Sequence, residues 1–379
     1  MQGEPKLIQH PGVFIKDELA SRNWEQSDLA FIIGKLPQQL NKIVSGKGNI
    51  TPEWAALLGN AFNIEPEFFL NLQAQYDLRN SKSDEAVQIR AQWAAILPVR
   101  EMIKRGWIEE SDAYLLQTQM HRFLNIRSID DLEHSANFAY AAKKTSYEVN
   151  TPLQLAWVSR VKAVAQLIAA PSYSENNLRE TLPVIRAHMN DADDFAKIPE
   201  LLLKCGVRLV FVEALAGSKI DGVCTWTENK QPIIGLSLRF PRADNFCFVL
   251  RHEIEHVLQK DGMASLNIDS FEDIITDEKI PESERHANKE TQEFFIPEGK
   301  LDSFLLRKGK FVSERDVLAF SSRIGIHPAI IVGQIQRRKH EAGEKNAYGF
   351  LRKYLVDVRD ILLQWDYKDG WGHIAPVSL

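Results

Sequence analysis

The segment Arg251-His252-Glu253-Ile254-Glu255-His256 constrains this chain more than any other. Histidines four residues apart lie on one face of a helix, so both imidazoles can reach a single zinc ion. Glu253, directly after the first histidine, can take a proton from water at that metal. Phe246, Val249, Leu250, Val257 and Leu258 give the surrounding helix an apolar stripe. Asp244 is placed to cap its start, and Gly262 follows its expected end. A buried amphipathic helix carrying two histidines by chance would show the same pattern, so the surroundings decide.

A metal site of this kind needs a third protein ligand and one open position. Downstream lies Glu282-Ser283-Glu284-Arg285-His286-Ala287-Asn288, which runs on to Phe294-Phe295-Ile296-Pro297. Ser283 reads as an N-cap, Ala287, Thr291 and Phe294 as a helical stripe, and Pro297 as a stop. Glu284 in the first turn can face the first helix. An acidic first turn is also what the helix dipole favours on a solvated surface. Glu282 and His286 compete for the ligand role.

Taken together, His252-Glu253-x-x-His256, Glu284-x-x-Ala287-Asn288 and the apolar end Phe295-Ile296-Pro297 resemble the ImmA/IrrE family of bacterial metallopeptidases. The resemblance extends over Gly222 to Trp226, Pro232 to Ser237, Gly325 to Pro328 and Ile331 to Gln336, or roughly residues 200 to 340. It implies a small gluzincin-like domain in which Glu284 joins His252 and His256 as zinc ligands and Glu253 is the catalytic base. The family's substrates are implied to be repressor proteins. This chain departs at Glu255, where the family usually has a small residue. That side chain either pairs with Arg251 one turn back or crowds the substrate and the metal.

Three β-branched or apolar runs precede the motif: Val207 to Glu213, Gly222 to Thr227, and Ile233 to Leu238. Glu228-Asn229-Lys230 is a turn candidate between the last two, and short connections predict an antiparallel sheet packed on the metal-site helix. By resemblance, the hairpin from Gly222 to Leu238 is the candidate for pairing with an extended peptide. A purely structural hairpin would look the same.

The amino-terminal region has a different character. From Phe14 to Leu72 the signals are helical. Glu25 to Ile33 reads as a short helix closed by Gly34, Pro37 can start the next, and Gly46 ends it. Helix, glycine-containing turn and helix form the layout of a helix-turn-helix, with Leu29, Ala30, Leu40 and Ile43 where the helices meet. Gln38, Gln39, Asn41 and Lys42 should be exposed on the second helix, where amides can read adenine and lysine can meet phosphate or guanine. Residues 1 to 80 contain seven Lys or Arg and nine Asp or Glu, which argues against indiscriminate DNA binding. Between Asp28 and Glu53, however, there is no acid, while Lys35, Lys42 and Lys47 are present. A helix pair used only for packing or dimerisation is the competing reading.

His10-Pro11-Gly12, Gln26-Ser27-x-Leu29-Ala30, Ile43 to Lys47, Ile50 to Glu53, Phe68 to Gln73 and Tyr76 to Leu78 resemble the HigA-type antitoxin branch of the Xre/Cro-repressor family. The resemblance implies double-stranded operator DNA as partner, a homodimer, and Gln26 and Lys47 beside the second-helix residues at the DNA. It departs at Lys35-Leu36-Pro37, where the usual serine or threonine cap is missing. Such a loss costs about 1 kcal/mol, which the proline start offsets.

Residues 85 to 200 read as helical, with Trp93, Ile96, Ile103 and Trp107 as core positions. Asn150-Thr151-Pro152 opens another helix that buries Leu155, Val158, Val161 and Ala165. Gly106-Trp107-Ile108 and Leu155-Ala156-Trp157 resemble the helical region of long proteins that fuse the two families. Asn80 to Asp84 is the expected linker. A net charge of −5 excludes a globally polybasic nucleic-acid binder. Cys205, Cys224 and Cys247 suit buried thiols better than a disulfide scaffold or zinc knuckle. No apolar run reaches membrane-spanning length and the amino terminus is not a signal peptide, so a cytoplasmic protein with no membrane partner is expected.

The expected fold is mainly α with a small antiparallel β-sheet (α+β), built as a helix-turn-helix bundle followed by a gluzincin-like metallopeptidase domain. Expected boundaries are 1–80 for the DNA-binding domain, 85–200 for the helical middle, 201–340 for the metallopeptidase and 341–379 for a carboxyl-terminal extension. The expected function is a regulator that binds an operator and cleaves a regulatory protein, with a toxin as another possible partner. The alternative is a repressor whose metallopeptidase-like part only senses a metal, peptide or partner.

Overall fold

The computed structural model describes residues 9–81, 85–131, 152–263, 267–269, 281–309 and 311–376. Two compact units divide the chain, Met1–Glu85 and Ala86–Leu379. Part of the expected linker, Lys82 to Asp84, lies outside the described residues, as do Asn150 and Thr151 of the expected helix start.

Among the described residues, five helices form the first unit: α1 (Pro11–Ser21), α2 (Gln26–Ile32), α3 (Pro37–Val44), α4 (Pro52–Phe62) and α5 (Pro66–Asn80). Proline stands at or next to the first position of α1, α3, α4 and α5, where its missing N–H loses no helical bond. His10 caps α1 by accepting from Gly12 N at 2.9 Å. Gly12 itself lies against the end of α3. A Cβ there would fall 2.6 Å from the carbonyl oxygens of both Ile43 and Val44, so only glycine permits this approach. Leu29, Ala30, Leu40, Ile43, Leu58 and Phe69 close the core between the helices.

The second unit begins with α6 (Glu85–Ile96), α7 (Val99–Lys104), α8 (Ala113–Leu124), α9 (Pro152–Gln166), α10 (Glu175–His188) and α11 (Ile198–Lys204). Strands β1 (Arg208–Val212), β2 (Gly222–Trp226) and β3 (Pro232–Leu236) follow, then α12 (Ala243–Gln259) and β4 (Asn267–Asp269). The chain continues through α13 (Glu282–Phe295), α14 (Lys300–Lys308), α15 (Glu314–Ile324) and α16 (Pro328–Glu341). It ends with the short α17 (Arg359–Leu362) and β5 (Lys368–Asp369).

The protein is mainly helical with one small sheet, as the α+β expectation has it, but the sheet is mixed rather than antiparallel. Its order is β4-β2-β3-β1-β5. β2 and β3 form the expected antiparallel hairpin, with Cys224 opposite Ile234. β1 instead pairs in parallel with β3, Leu209 beside Ile234, because residues 213–221 carry the chain past β3 to its far side. β5 adds a second parallel pair, Val212 beside Asp369.

Both faces of this sheet are covered. Along β1, Leu209 and Phe211 point into a core shared with α12 and α16, while Val210 and Val212 point into a second core shared with Trp93, Trp107, Trp157 and Val161. The strand period of two thus sorts neighbouring residues into different cores. Helices from the 85–200 region form one cover, so they share a core with the strands. The carboxyl-terminal residues are built in as well. Asp369 on β5 is buried, takes Arg160 Nη2 at 2.6 Å and Trp107 Nε1 at 2.7 Å, and accepts from Ala375 N at 2.9 Å. Cys205, Cys224 and Cys247 are buried and form no disulfide. No helix among the described residues is long and apolar enough to cross a membrane.

Candidate metal centre and recognition helix

α12 buries almost its whole length, including His252, Glu253, Glu255 and His256. It starts at Ala243 after Arg242, so Asp244 is not its cap. That carboxylate lies in the first turn and is held by Arg242 at 3.0 and 2.5 Å. The helix closes on Lys260 in the left-handed region, φ 63°, and the chain turns back at once. α13 begins at Glu282, so Ser283 sits inside its first turn rather than at its cap. Glu284, Ala287, Thr291 and Phe295 form the buried stripe of α13, with Phe295 in the place expected for Phe294.

The two helices bring three donors to one point. His252 Nε2 is 3.1 Å from Glu284 Oε2, His256 Nε2 is 3.4 Å from Glu284 Oε1, and the two Nε2 atoms are 3.0 Å apart. All three residues are buried, and together they could hold a metal ion. Burial works against the Glu284 carboxylate, yet hydrogen bonds and charge from His252 and His256 outweigh it and hold its pKa below the usual range. The rival ligands are elsewhere. His286 is half exposed and meets Glu255 Oε1 at 3.6 Å, and Glu282 is exposed.

Glu255 takes the first of its two possible roles. It lies 2.8 Å from Arg251 Nη2 and receives Gln259 Nε2 at 3.3 Å. At 100° per residue, Glu253 and Glu255 leave the helix on opposite sides of the histidine pair. The guanidinium of Arg251 is also stacked 4.9 Å from the Phe294 ring, which fixes Glu255 away from the donors.

Three residues around the cluster support it in ways that sequence reasoning did not single out, although Gly222 and Trp226 lie in a stretch that carries the family resemblance. Asp261 Oδ2 lies 2.9 Å from His256 Nδ1, the arrangement by which a carboxylate fixes the tautomer and direction of a ligand histidine. Trp226, at the end of β2, donates from Nε1 to Asp261 O at 2.6 Å and fixes that turn in place. Gly222, at the start of β2, faces Glu253. A Cβ at 222 would lie 2.2 Å from Glu253 Oε1, so the missing side chain makes the space that this carboxylate fills. An acid shortly after the second histidine was a readable signal for Asp261. The resemblance marked Gly222, but nothing local tied it to Glu253, because that partner lies on another element.

In the first unit, α2 and α3 meet through Leu29, Ala30 and Leu40, with Gly34 between them at φ 65°. Gln38, Gln39, Asn41 and Lys42 are exposed on α3, Lys47 is exposed just after it, and Gln26 at the start of α2 is half-buried. Gln39 has a local task too, since its Oε1 accepts from Leu36 N at 3.4 Å and stands in for the missing cap. Lys35 does not belong to the open basic face. It pairs with Glu53 at 2.5 Å and lies over the Trp54 ring.

A helix-turn-helix family model matches residues 15–69, the stretch from α1 into α5. The chain is also similar to virulence-associated protein A' of Dichelobacter nodosus, 35% identical over 85 residues, or 22% of this chain and 74% of that protein. Through this unit the chain belongs to the helix-turn-helix family of DNA-binding regulators. Its partner in that capacity is double-stranded DNA.

Proposed function

We propose that this chain is an antitoxin-like repressor of the HigA type joined to a zinc-dependent endopeptidase of the ImmA/IrrE type, which cleaves a regulatory protein. The observation that carries the peptidase reading is the convergence of His252, His256 and Glu284. A tetrahedral zinc with bonds of about 2.0–2.1 Å separates its ligand atoms by about 3.3 Å. The donor separations here run from 3.0 to 3.4 Å, so the residues fit that ion. Zinc held there supplies Lewis acidity, which brings the ionisation of water near neutrality. Glu253 would take the proton from that water and pass it to the leaving amine. Asp261 would hold His256 in the ligating tautomer. The β2–β3 hairpin beside α12 would position an extended peptide, and the 201–340 segment corresponds to the peptidase domain of that family.

On the DNA side, Gln38, Gln39, Asn41 and Lys42 would enter the major groove, with Gln26 and Lys47 at the flanking backbone. A homodimer on a paired half-site, in the cytoplasm, completes this reading. A toxin is the alternative protein partner that the antitoxin resemblance brings in.

One observation favours a second reading, in which the metal site senses rather than cuts: Glu253 is fully buried beneath Gly222. A promoter reporter in cells carrying wild type, Glu253→Gln or His252→Ala, with immunoblots for shortened regulators, decides between them. A peptidase loses derepression in both variants and yields fragments only in wild type. A sensor keeps its output in Glu253→Gln, loses it in His252→Ala and yields no fragment.

A further inference from the structure

A cavity of about 780 Å³ opens in the second unit, between α8, α9 and the tip of the β2–β3 hairpin. None of His252, His256 and Glu284 lines it, and the proposed zinc chemistry does not use it. Its size is that of a small-molecule site. Trp107, Phe123, Leu155 and Ile233 give it apolar walls that can hold a hydrocarbon or aromatic body.

The polar groups in those walls are unusual. Lys162 lies on α9 among the lining residues, and burial lowers its pKa with no described carboxylate to raise it again. Arg208, at the start of β1, spends Nε on Ile168 O at 3.3 Å, while its buried Nη1 has no hydrogen-bond partner among the described residues. A buried donor such as Arg208 Nη1 is costly unless something accepts from it. Arg160 also borders the cavity, but Asp369 neutralises it. Glu109 and Glu228 offset two of the remaining three cations, Arg122, Lys162 and Arg208, leaving a net charge of about +1.

We propose that this cavity binds a small amphipathic organic anion, its apolar body between Trp107 and Ile233 and a singly charged carboxylate at Lys162 and Arg208. The single surplus charge favours a carboxylate over a phosphate monoester. The apolar walls favour an aromatic or alkyl acid over a sugar or an inorganic ion. Such a ligand gives the desolvated Lys162 ammonium its counter-charge and meets the positive Arg208 guanidinium at the cavity wall.

Calorimetric titration of the full chain tests this with 1-naphthylacetate, biphenyl-4-carboxylate and dodecanoate, each against its neutral primary amide, and with 1-naphthyl phosphate. At least one acid should bind with one-to-one saturation, about tenfold or more tighter than its amide. Lys162→Met and Arg208→Gln should each erase that preference. In wild type, the same acid should protect Lys162 from acetic anhydride, read by peptide mass spectrometry, which keeps the test valid if a variant misfolds. Absence of saturable binding by every acid, equal binding of acid and amide, or no protection of Lys162 would overturn the proposal. Tighter binding of the phosphate would overturn the assignment to a monoanion.

Discussion

The candidate recognition helix and the candidate metal cluster place the side chains proposed to work there in opposite ways. On α3 the amides and the lysine stand exposed on one turn-by-turn face, and everything that holds them there lies within the same five-helix unit. The candidate metal donors are buried, come from two helices, and take direction from a turn that a strand holds, while a glycine makes room for the neighbouring Glu253. An exposed face tolerates change at each position separately. A buried constellation fails as a whole, because each group compensates the desolvation of the others.

The sharpest way to break this contrast is to remove a donor. His252→Ala or His256→Ala should reduce bound zinc from about one equivalent to near none, by elemental mass spectrometry of the purified protein. Glu284→Ala should weaken binding, while operator affinity of the same proteins stays unchanged. Metal retained without His256 would mean that the cluster is not the site.

Gly222→Ala should come next. The added methyl forces the Glu253 carboxylate aside, so the proposed peptide cleavage should fall by about 10²–10⁴ while zinc content stays near one. Loss of metal along with activity would show that the glycine supports the donors rather than Glu253. Asp261→Ala should weaken zinc about 10- to 100-fold in a chelator competition, because His256 loses its orienting carboxylate. An unchanged affinity would remove Asp261 from the site.

Effects on the exposed face should be smaller and separable. Gln38→Ala should cost about 1–3 kcal/mol of discrimination at one base pair of the operator, and Lys42→Ala should lower the salt slope by about one if it meets phosphate. Both are read from binding titrations at several salt concentrations. The smallest effect expected is on stability alone. Gly12→Ala overpacks α1 against α3 and should destabilise the first unit by about 1–3 kcal/mol in a denaturant melt, with zinc content untouched.

How much of this was legible depended on distance along the chain. The recognition unit was readable almost whole, because Gly34, Pro37 and the Leu29-to-Ile43 pattern are local signals for a local structure. His252 and His256 were readable for the same reason, being one helical turn apart. Glu284 could be named only beside Glu282 and His286 until the family resemblance ranked them. The direction of β1 was misjudged because adjacency in sequence suggested a hairpin, whereas residues 213–221 bypass β3. Local pattern also gave no hint that Asp369 would be buried against Arg160 and Trp107, more than two hundred residues upstream in each case.

The sequence by itself determined which segments are helices, which face of each is apolar, and which residue types could ligate, accept a proton or read a base. Those properties follow from 3.6-residue and two-residue periods, caps and side-chain chemistry, all short-range. Only the tertiary structure decided that Glu284 meets the histidines, that Glu255 turns to Arg251, that Gly222 makes room for Glu253 and that Lys35 is taken by Glu53. These outcomes are set by which buried groups compensate one another's desolvation, and that choice is made between segments far apart in the chain.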